Sequence, residues 1–271
     1  MAIREIIFLI LVILEGLMLN AILIRNKLTA PKSLFPVLFF VIAMTLGICQ
    51  TALMPVLVGT FFMILCLSQL MVSGSFLSLP IEKTFGAAAS LSLATMFSPA
   101  LMVFLVPLLM TMLNYSLYSW RDWSILLLGL VAPYIPLELY YYLSGNMFYK
   151  NYLLFYNLTD IGFSTIASKS EWAMSAVFVI LTLVSTVKAA VAGRSRGSNF
   201  SKNSAAVHFL LAGSVLSAAY TSVIPVPTQS YAIPFAYSMS VLFQGQKKRQ
   251  WLWNILLAVL ILAVILYIIL V

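Results

Sequence analysis

The stretch "YSWRDWSILLLGLVAPY", Tyr118 to Tyr134, sets the terms on which the rest of the chain is read. Only 8% of the residues are charged, yet Arg121 and Asp122 stand side by side between Trp120 and Trp123, and an almost wholly apolar run follows. Tryptophan rings suit the headgroup layer of a bilayer, and basic residues collect on its cytoplasmic side. Asp122 precedes the run by one residue, where a carboxylate can cap a helix and meet the positive end of its dipole. The stretch therefore reads as an interface anchor followed by the start of a membrane-crossing helix. A cytoplasmic docking site is the alternative.

The whole chain repeats this pattern. Its 63% hydrophobic content exceeds the roughly 45–50% apolar content of soluble domains, and its mean hydropathy is +1.06. A backbone in lipid must satisfy its own polar groups, which leaves helices or a closed barrel. Runs such as "IIFLILVIL" and "ILLAVLILAVILYIILV" are apolar throughout, where barrel strands would alternate. The expected fold is an all-α polytopic transmembrane bundle, a single integral membrane domain over 1–271. The net charge of +8 comes from basic residues scattered between apolar runs, a pattern of loops and not of a nucleic-acid surface. The two cysteines, Cys49 and Cys66, read as small packing residues. The first span has no basic leader or convincing cleavage site and is expected to remain as an anchor.

About ten spans are expected, near 6–24, 34–50, 55–72, 81–97, 99–115, 123–143, 172–190, 206–224, 228–244 and 251–270. The fourth is the weakest, because Thr84 to Met96 would rise only about 20 Å against a hydrocarbon core of about 30 Å. Half-helices or a re-entrant hairpin near 84–115, turning at Ser98-Pro99, are the alternative. With ten spans, twelve basic residues fall on one side and three (Arg4, Lys150 and Lys169) on the other. Lys/Arg-rich loops face the cytoplasm, so both termini are expected outside it. The segment 145–171 then becomes an aromatic-rich periplasmic stretch, with Tyr149, Tyr152, Phe155 and Tyr156 at near-helical spacing.

Several stretches carry a family resemblance: "LNAILIRNKLTAPKSLFPVLFF", "LMPVLVGTFFMIL", "FGAAASLSLATMFSPALMVFLVPLL", the Tyr118–Tyr134 segment and "YAIPFAYSMSVLF…KKRQWLWNILL". The chain resembles, over nearly its whole length, a family of multipass membrane proteins from Bacteroidota defined as a domain of unknown function. The resemblance implies a bacterial inner membrane with the periplasm on the far side. Its motifs are anchors, prolines and small residues, and they carry no known chemistry.

Glu15 is the one acid at the middle of an expected span, where an ionised carboxylate costs at least ~2.5–3.5 kcal/mol. It reads either as a proton relay or headgroup contact, or as a structural hydrogen bond to a helix brought close by Gly16. Glu138 follows Pro133 and Pro136, which should bend or unwind the sixth span, and Asp160 is the other periplasmic acid. These two are the catalytic candidates; the bland reading makes Glu138 a snorkelling interface residue and Asp160 part of a turn. His208 begins the eighth span alone, which is no metal site. Lys247, Lys248 and Arg249 join Trp120 to Trp123 as interface anchors, and Lys188 snorkels. Gly86, Ser90 and Ala94, like Gly213, Ser217 and Thr221, repeat every four residues, a spacing that packs helices closely. No nucleophile elbow, phosphate loop or dinucleotide fingerprint is present, and no cofactor or metal is expected.

The first functional expectation is a non-catalytic accessory or scaffold component in cell-envelope biogenesis. An enzyme or carrier for a polyprenyl-linked precursor is the alternative, since Phe85 to Trp123 loosely resembles spans of multipass glycosyltransferases. Those enzymes need an acid in the first periplasmic loop as general base, whereas "RNKLTAPKS" has none. A secondary transporter comes third, because Met54-Pro55 and Ser98-Pro99 occupy matching positions in consecutive span pairs. The partners to expect are membrane lipid, a protein of an envelope complex and a lipid-linked glycan; nucleic acid is not among them.

Overall fold

The structure is a computed structural model and describes residues 2–30, 33–45, 53–71, 80–145, 180, 182–184, 186–187, 198–220 and 225–244. Helices, turns and short connections make them up, with no strand among the described residues. The helices are α1 (Ala2–Arg25), α2 (Phe35–Thr45), α3 (Leu53–Leu70), α4 (Ile81–Phe97), a 3-10 turn (Pro99–Phe104), α5 (Leu105–Asn114), α6 (Trp120–Val131), α7 (Tyr134–Leu143), α8 (Ser198–Tyr220) and α9 (Pro225–Gln244). By length and composition, two described stretches are long and apolar enough to cross a membrane: Ile7–Arg25 and Trp120–Leu143. Four apolar helices are shorter, Phe35–Thr45 among them.

Contacts fix the direction of each helix. On α3 and α4, Phe62 stacks on Phe97 while Lys83 reaches Met71, so the two run antiparallel. Along α4 and α6, Gly129 lies against Phe85 and Ala88 while Thr95 meets Tyr134, so these two run parallel. The edges of Phe39 and Phe35 pack on Phe235 and Phe243, which sets α2 antiparallel to α9. Asn114 and Tyr115 meet Lys202 and Asn203 while Gly213 meets Pro107, which sets α5 antiparallel to α8. Helices α1 to α6 therefore alternate in direction, with α8 running as α6 does and α9 returning. One consequence is electrostatic. The ends of α1, α3, α5 and α9 and the starts of α2, α4, α6 and α8 share one end of the bundle. Of the six basic residues in the described segments, Arg25, Lys27, Lys83, Arg121 and Lys202 belong to that end, and Arg4, near the start of α1, to the other.

Apolar side chains face outward as well as inward. All ten residues from Tyr231 to Ser240 in α9 are buried, although this segment contains two tyrosines, two serines and a proline. Two of its hydroxyls are satisfied internally: Ser240 Oγ donates to Tyr237 O at 2.7 Å, and Tyr237 Oη pairs with Ser204 Oγ at 2.9 Å, whereas the buried Ser238 Oγ has no partner among the described residues. By contrast the α6–α7 arm exposes Leu127, Leu128, Val131, Ile135, Leu139 and Leu143. In water that arrangement would waste its most apolar surface.

Local chemistry explains the helix ends. Ser119, and not Asp122, is the N-cap of α6. Its Oγ accepts from the Asp122 amide and the Asp122 carboxylate accepts from the Ser119 amide, a capping box with aspartate at its third helical position. The helix thus begins at Trp120, and the expected capping role of Asp122 is corrected to the second half of that box.

At the end of α1, Leu28 N–H bonds Leu23 O and Lys27 N–H bonds Ile24 O, a Schellman closure with Lys27 at φ 57°. Ser116, at φ 60°, repeats it after α5, with Leu117 bonding Met112. Glycine is the usual occupant of such a position. Replacing Lys27 by glycine should therefore raise stability in detergent by about 1 kcal/mol, read from unfolding midpoints. An unchanged or lower midpoint would mean that the lysine side chain contributes more than its backbone conformation costs.

Both proline breaks are present. Helix α4 ends at Ser98, whose backbone is extended at φ −140°, beside Gly59 of α3. That is six residues inside the start of α3, about 9 Å short of it. The two limbs of the 84–115 pair then part: α4 lies between α3 and α6, whereas α5 leans on α8. The run 123–143 divides at Ala132-Pro133 into α6 and α7. Helix α8 begins at Ser198, eight residues before the expected span; in this added stretch Phe200 is buried and Asn203 accepts a hydrogen bond from Tyr115 at the end of α5. His208 consequently sits in its third turn, against the Tyr237 ring, and does not begin the helix.

Candidate functional site

Three polar features interrupt the apolar interior. The first is Glu15, which is 6% exposed on α1. Its Oε2 lies 3.0 Å from Thr60 Oγ1 on α3, and the same hydroxyl lies 2.8 Å from Leu57 O. A hydroxyl has one proton and cannot donate to both acceptors at once. A carboxylic-acid proton on Glu15 would let Thr60 accept from Glu15 while donating to Leu57. Gly16 keeps this neighbourhood tight, since a β-carbon there would stand 3.2 Å from Val37 Cγ1 and 3.3 Å from Phe40 Cδ1 of α2.

The second is a seam of hydroxyls along the two helix breaks. Ser92 Oγ donates to Leu130 O at 2.7 Å, and Thr95 Oγ1 pairs with Tyr134 Oη at 2.8 Å. Pro133 has no N–H to offer the preceding turn, and Ser92 gives that turn a donor from outside. Broken backbone away from water needs such partners.

The third is a cleft of about 330 Å³ at the cation-bearing end, between the last turns of α1 and α3 and the first turn of α4. Arg25, Asn26, Ser68, Gln69 and Lys83 supply its polar wall. Met18, Ile22 and Met71 supply an apolar one. On α1, residues 18, 22, 25 and 26 share a face because their spacing follows the helical repeat. Lys83 Nζ donates to Met71 O at 2.8 Å, which closes the end of α3.

The residues singled out from sequence are distributed as follows. Glu138 lies half-buried on α7, a helix with no buried residue, and joins none of the three features. Asp160, the aromatic segment after Gly145, Lys188, Lys247, Lys248 and Arg249 lie outside the described residues, so no Glu138–Asp160 pairing is described. Trp120 (85% exposed) and Arg121 stand in the open, while Trp123 is half-buried. Gly86 faces Gln69 and Ala94 faces Gly59, both on α3, whereas Ser90 Oγ bonds back to Gly86 O at 2.7 Å. That stripe serves packing within the chain. Gly213 packs on Pro107 and Phe104, and Ser217 lies one turn further along α8. Among the described residues no three metal-ligating side chains cluster.

Sequence reasoning missed the cleft, having read Arg25 and Lys83 only as topology charges. It also missed Gly129, whose close neighbours on α4 belong to no repeat. The signal available for the cleft was Asn26 beside Arg25, a polar pair at a helix end. Comparison with known proteins finds no match, whether among family models, curated proteins or solved structures.

Proposed function

We propose that the chain is a multipass protein of a bacterial inner membrane, with about ten spans and its cation-bearing end in the cytoplasm, acting as an accessory component of envelope biogenesis. The observation that carries this reading is the coincidence of helix direction and charge: alternating helices bring Arg25, Lys27, Lys83, Arg121 and Lys202 to one end, against Arg4 at the other. Lys/Arg asymmetry of this kind orients helices in membranes. The exposed apolar surface of the α6–α7 arm supports it, because lipid rewards an apolar exterior.

The accessory role rests on the α6–α7 arm. A continuous exposed apolar face from Leu127 to Leu143 suits lateral contact with lipid or with the spans of a partner. Glu138 on this arm is placed to snorkel toward the far interface.

Topology tests the first part directly. In a chain with Cys49 and Cys66 replaced by alanine, Trp120→Cys and Ser144→Cys are labelled in intact cells with a membrane-impermeant maleimide. Ser144→Cys should react from outside, and Trp120→Cys only after permeabilisation. The opposite pattern would invert the bundle, and equal labelling of both would remove the spanning arm. For the accessory role, a photo-crosslinker at Leu128 or Leu139 should yield a protein adduct of constant mass in cells. Lipid adducts alone would reduce the arm to a lipid-facing wall.

A further inference from the structure

We propose that the cleft at the cation-bearing end is a binding site for an anionic phospholipid whose phosphate carries a hydroxylated substituent, a phosphoglycerol headgroup being the simplest case. The inference rests on the reading of that end as the cytoplasmic face of a membrane.

Its first support is unbalanced charge. Arg25 and Lys83 both line the cleft, where their like charges repel one another, and among the described residues no carboxylate lines it. The described acids at this end are otherwise placed: Asp122 is engaged with Ser119, and Glu82 is exposed beside the site and not within it. An anion seated between the two cations relieves their repulsion and forms charge-assisted hydrogen bonds with both.

Helix capping does not consume these cations. Basic residues near a helix C-terminus often serve its last carbonyls. In α1, however, Ile22 O already accepts from Asn26 N and Nδ2, Leu23 O from Leu28 N, and Ile24 O from Lys27 N. The Arg25 guanidinium is therefore not needed there. Lys83 gives Met71 O one of its three protons.

Asn26 says what the anion carries. Its Nδ2 is anchored on Ile22 O at 2.8 Å, which fixes the amide, and its buried Oδ1 accepts from no described group. A phosphodiester has no proton to offer that oxygen, whereas a hydroxyl on its substituent does. Ser68 and the Gln69 amide add further donors and acceptors on the same wall. Met18, Ile22 and Met71 face the remaining space, where the glycerol backbone and first methylenes of a lipid would lie. The volume of about 330 Å³ falls at the small end of the range of roughly 300–1,000 Å³ for small-molecule sites, which suits a headgroup better than a whole glycan.

The test is native mass spectrometry of the full-length protein in detergent, offered phosphatidylglycerol, phosphatidylcholine or soluble glycerol 3-phosphate. The protein should retain phosphatidylglycerol in preference to phosphatidylcholine. Arg25→Gln should weaken that retention by about tenfold, the scale of one charge-assisted contact, while Arg121→Gln, at the same end but outside the cleft, should not change it. Gln69→Glu, nearly isosteric, should weaken it as well and serves as the second variant if Arg25→Gln elutes as an aggregate. Equal retention of the two lipids, or full retention by a folded Arg25→Gln protein, would overturn the site. Competition by glycerol 3-phosphate at equal concentration would overturn the lipid as its source. Extraction of the wild-type protein from membranes by alkaline carbonate would instead sink the multipass reading, independently of the cleft.

Discussion

Gly129→Ala and Gly213→Ala should each lower stability by about 1–3 kcal/mol, the cost of forcing an extra methyl into a packed contact, while Gly86→Ala should be close to neutral. A β-carbon on Gly129 would stand 2.8 Å from Ala88 Cβ and 2.8 Å from Phe85 O. The second of these is backbone and cannot rotate away, so α4 and α6 would have to separate. On Gly213 the added carbon would run into the ring of Pro107, with Phe104 Cδ1 3.2 Å away. Proline on α5 yields no more easily than backbone. Gly86 differs because its neighbour is the Gln69 side chain at 3.3 Å, which can move, and alanine recovers about 1 kcal/mol of helix propensity. Unfolding midpoints in mixed micelles measure all three. A Gly129→Ala protein as stable as Gly86→Ala would mean that α4 and α6 do not approach this closely.

The second large effect concerns Glu15. Glu15→Ala should cost about 2–4 kcal/mol, through the void left between α1 and α3 and the lost hydrogen bond. Glu15→Gln should stay within about 1 kcal/mol of wild type, because its amide N–H can donate to Thr60 Oγ1 while Thr60 donates to Leu57. The pair of variants separates the two roles open to this residue. If Glu15 only joins helices, the glutamine variant is stable and fully functional in cells. If Glu15 moves a proton, the glutamine variant is stable and inactive, since an amide does not titrate. A glutamine variant as unstable as alanine would contradict the hydrogen-bond arrangement itself.

These residues also measure how much of the molecule was readable. Helix class was, because it depends on a coarse quantity: long apolar runs without the alternation of strands. The turn at Ser98-Pro99 and the break at Pro133 were readable for a similar reason, since proline removes a donor wherever it stands. The cap of α6 was misread by three residues, because Ser119 and Asp122 are both capping types and only geometry says which one leads. Gly129 was invisible because a lone glycine in an apolar run has the same sequence signal whether it faces lipid or Ala88. The cleft was invisible because it joins residues 18–26, 68–71 and 83, and nothing in the linear order says that these ends meet. Helix α9 is the instructive case. "YAIPFAYSMS" is among the less apolar stretches and yet the most buried. Its burial comes from contacts that linear order does not show, Phe235 on Phe39 and Tyr237 on Ser204 and His208.

The position of α9 has a consequence for how the protein is made. Synthesis from the N-terminus completes α2 long before residues 235 and 243 exist, and on the membrane reading proposed above α2 is inserted without them. Until they arrive, Phe35 and Phe39 have no aromatic partners on α9, and the face of α8 that carries Ser204 has no Tyr237 to meet. What α2 and α8 bury against α9 therefore stays uncovered until residues 225–244 have been made. Ribosomes stalled before residue 225 should leave nascent chains that are inserted yet readily cut by proteases. Resistance should come abruptly with the emergence of α9, and not gradually with length.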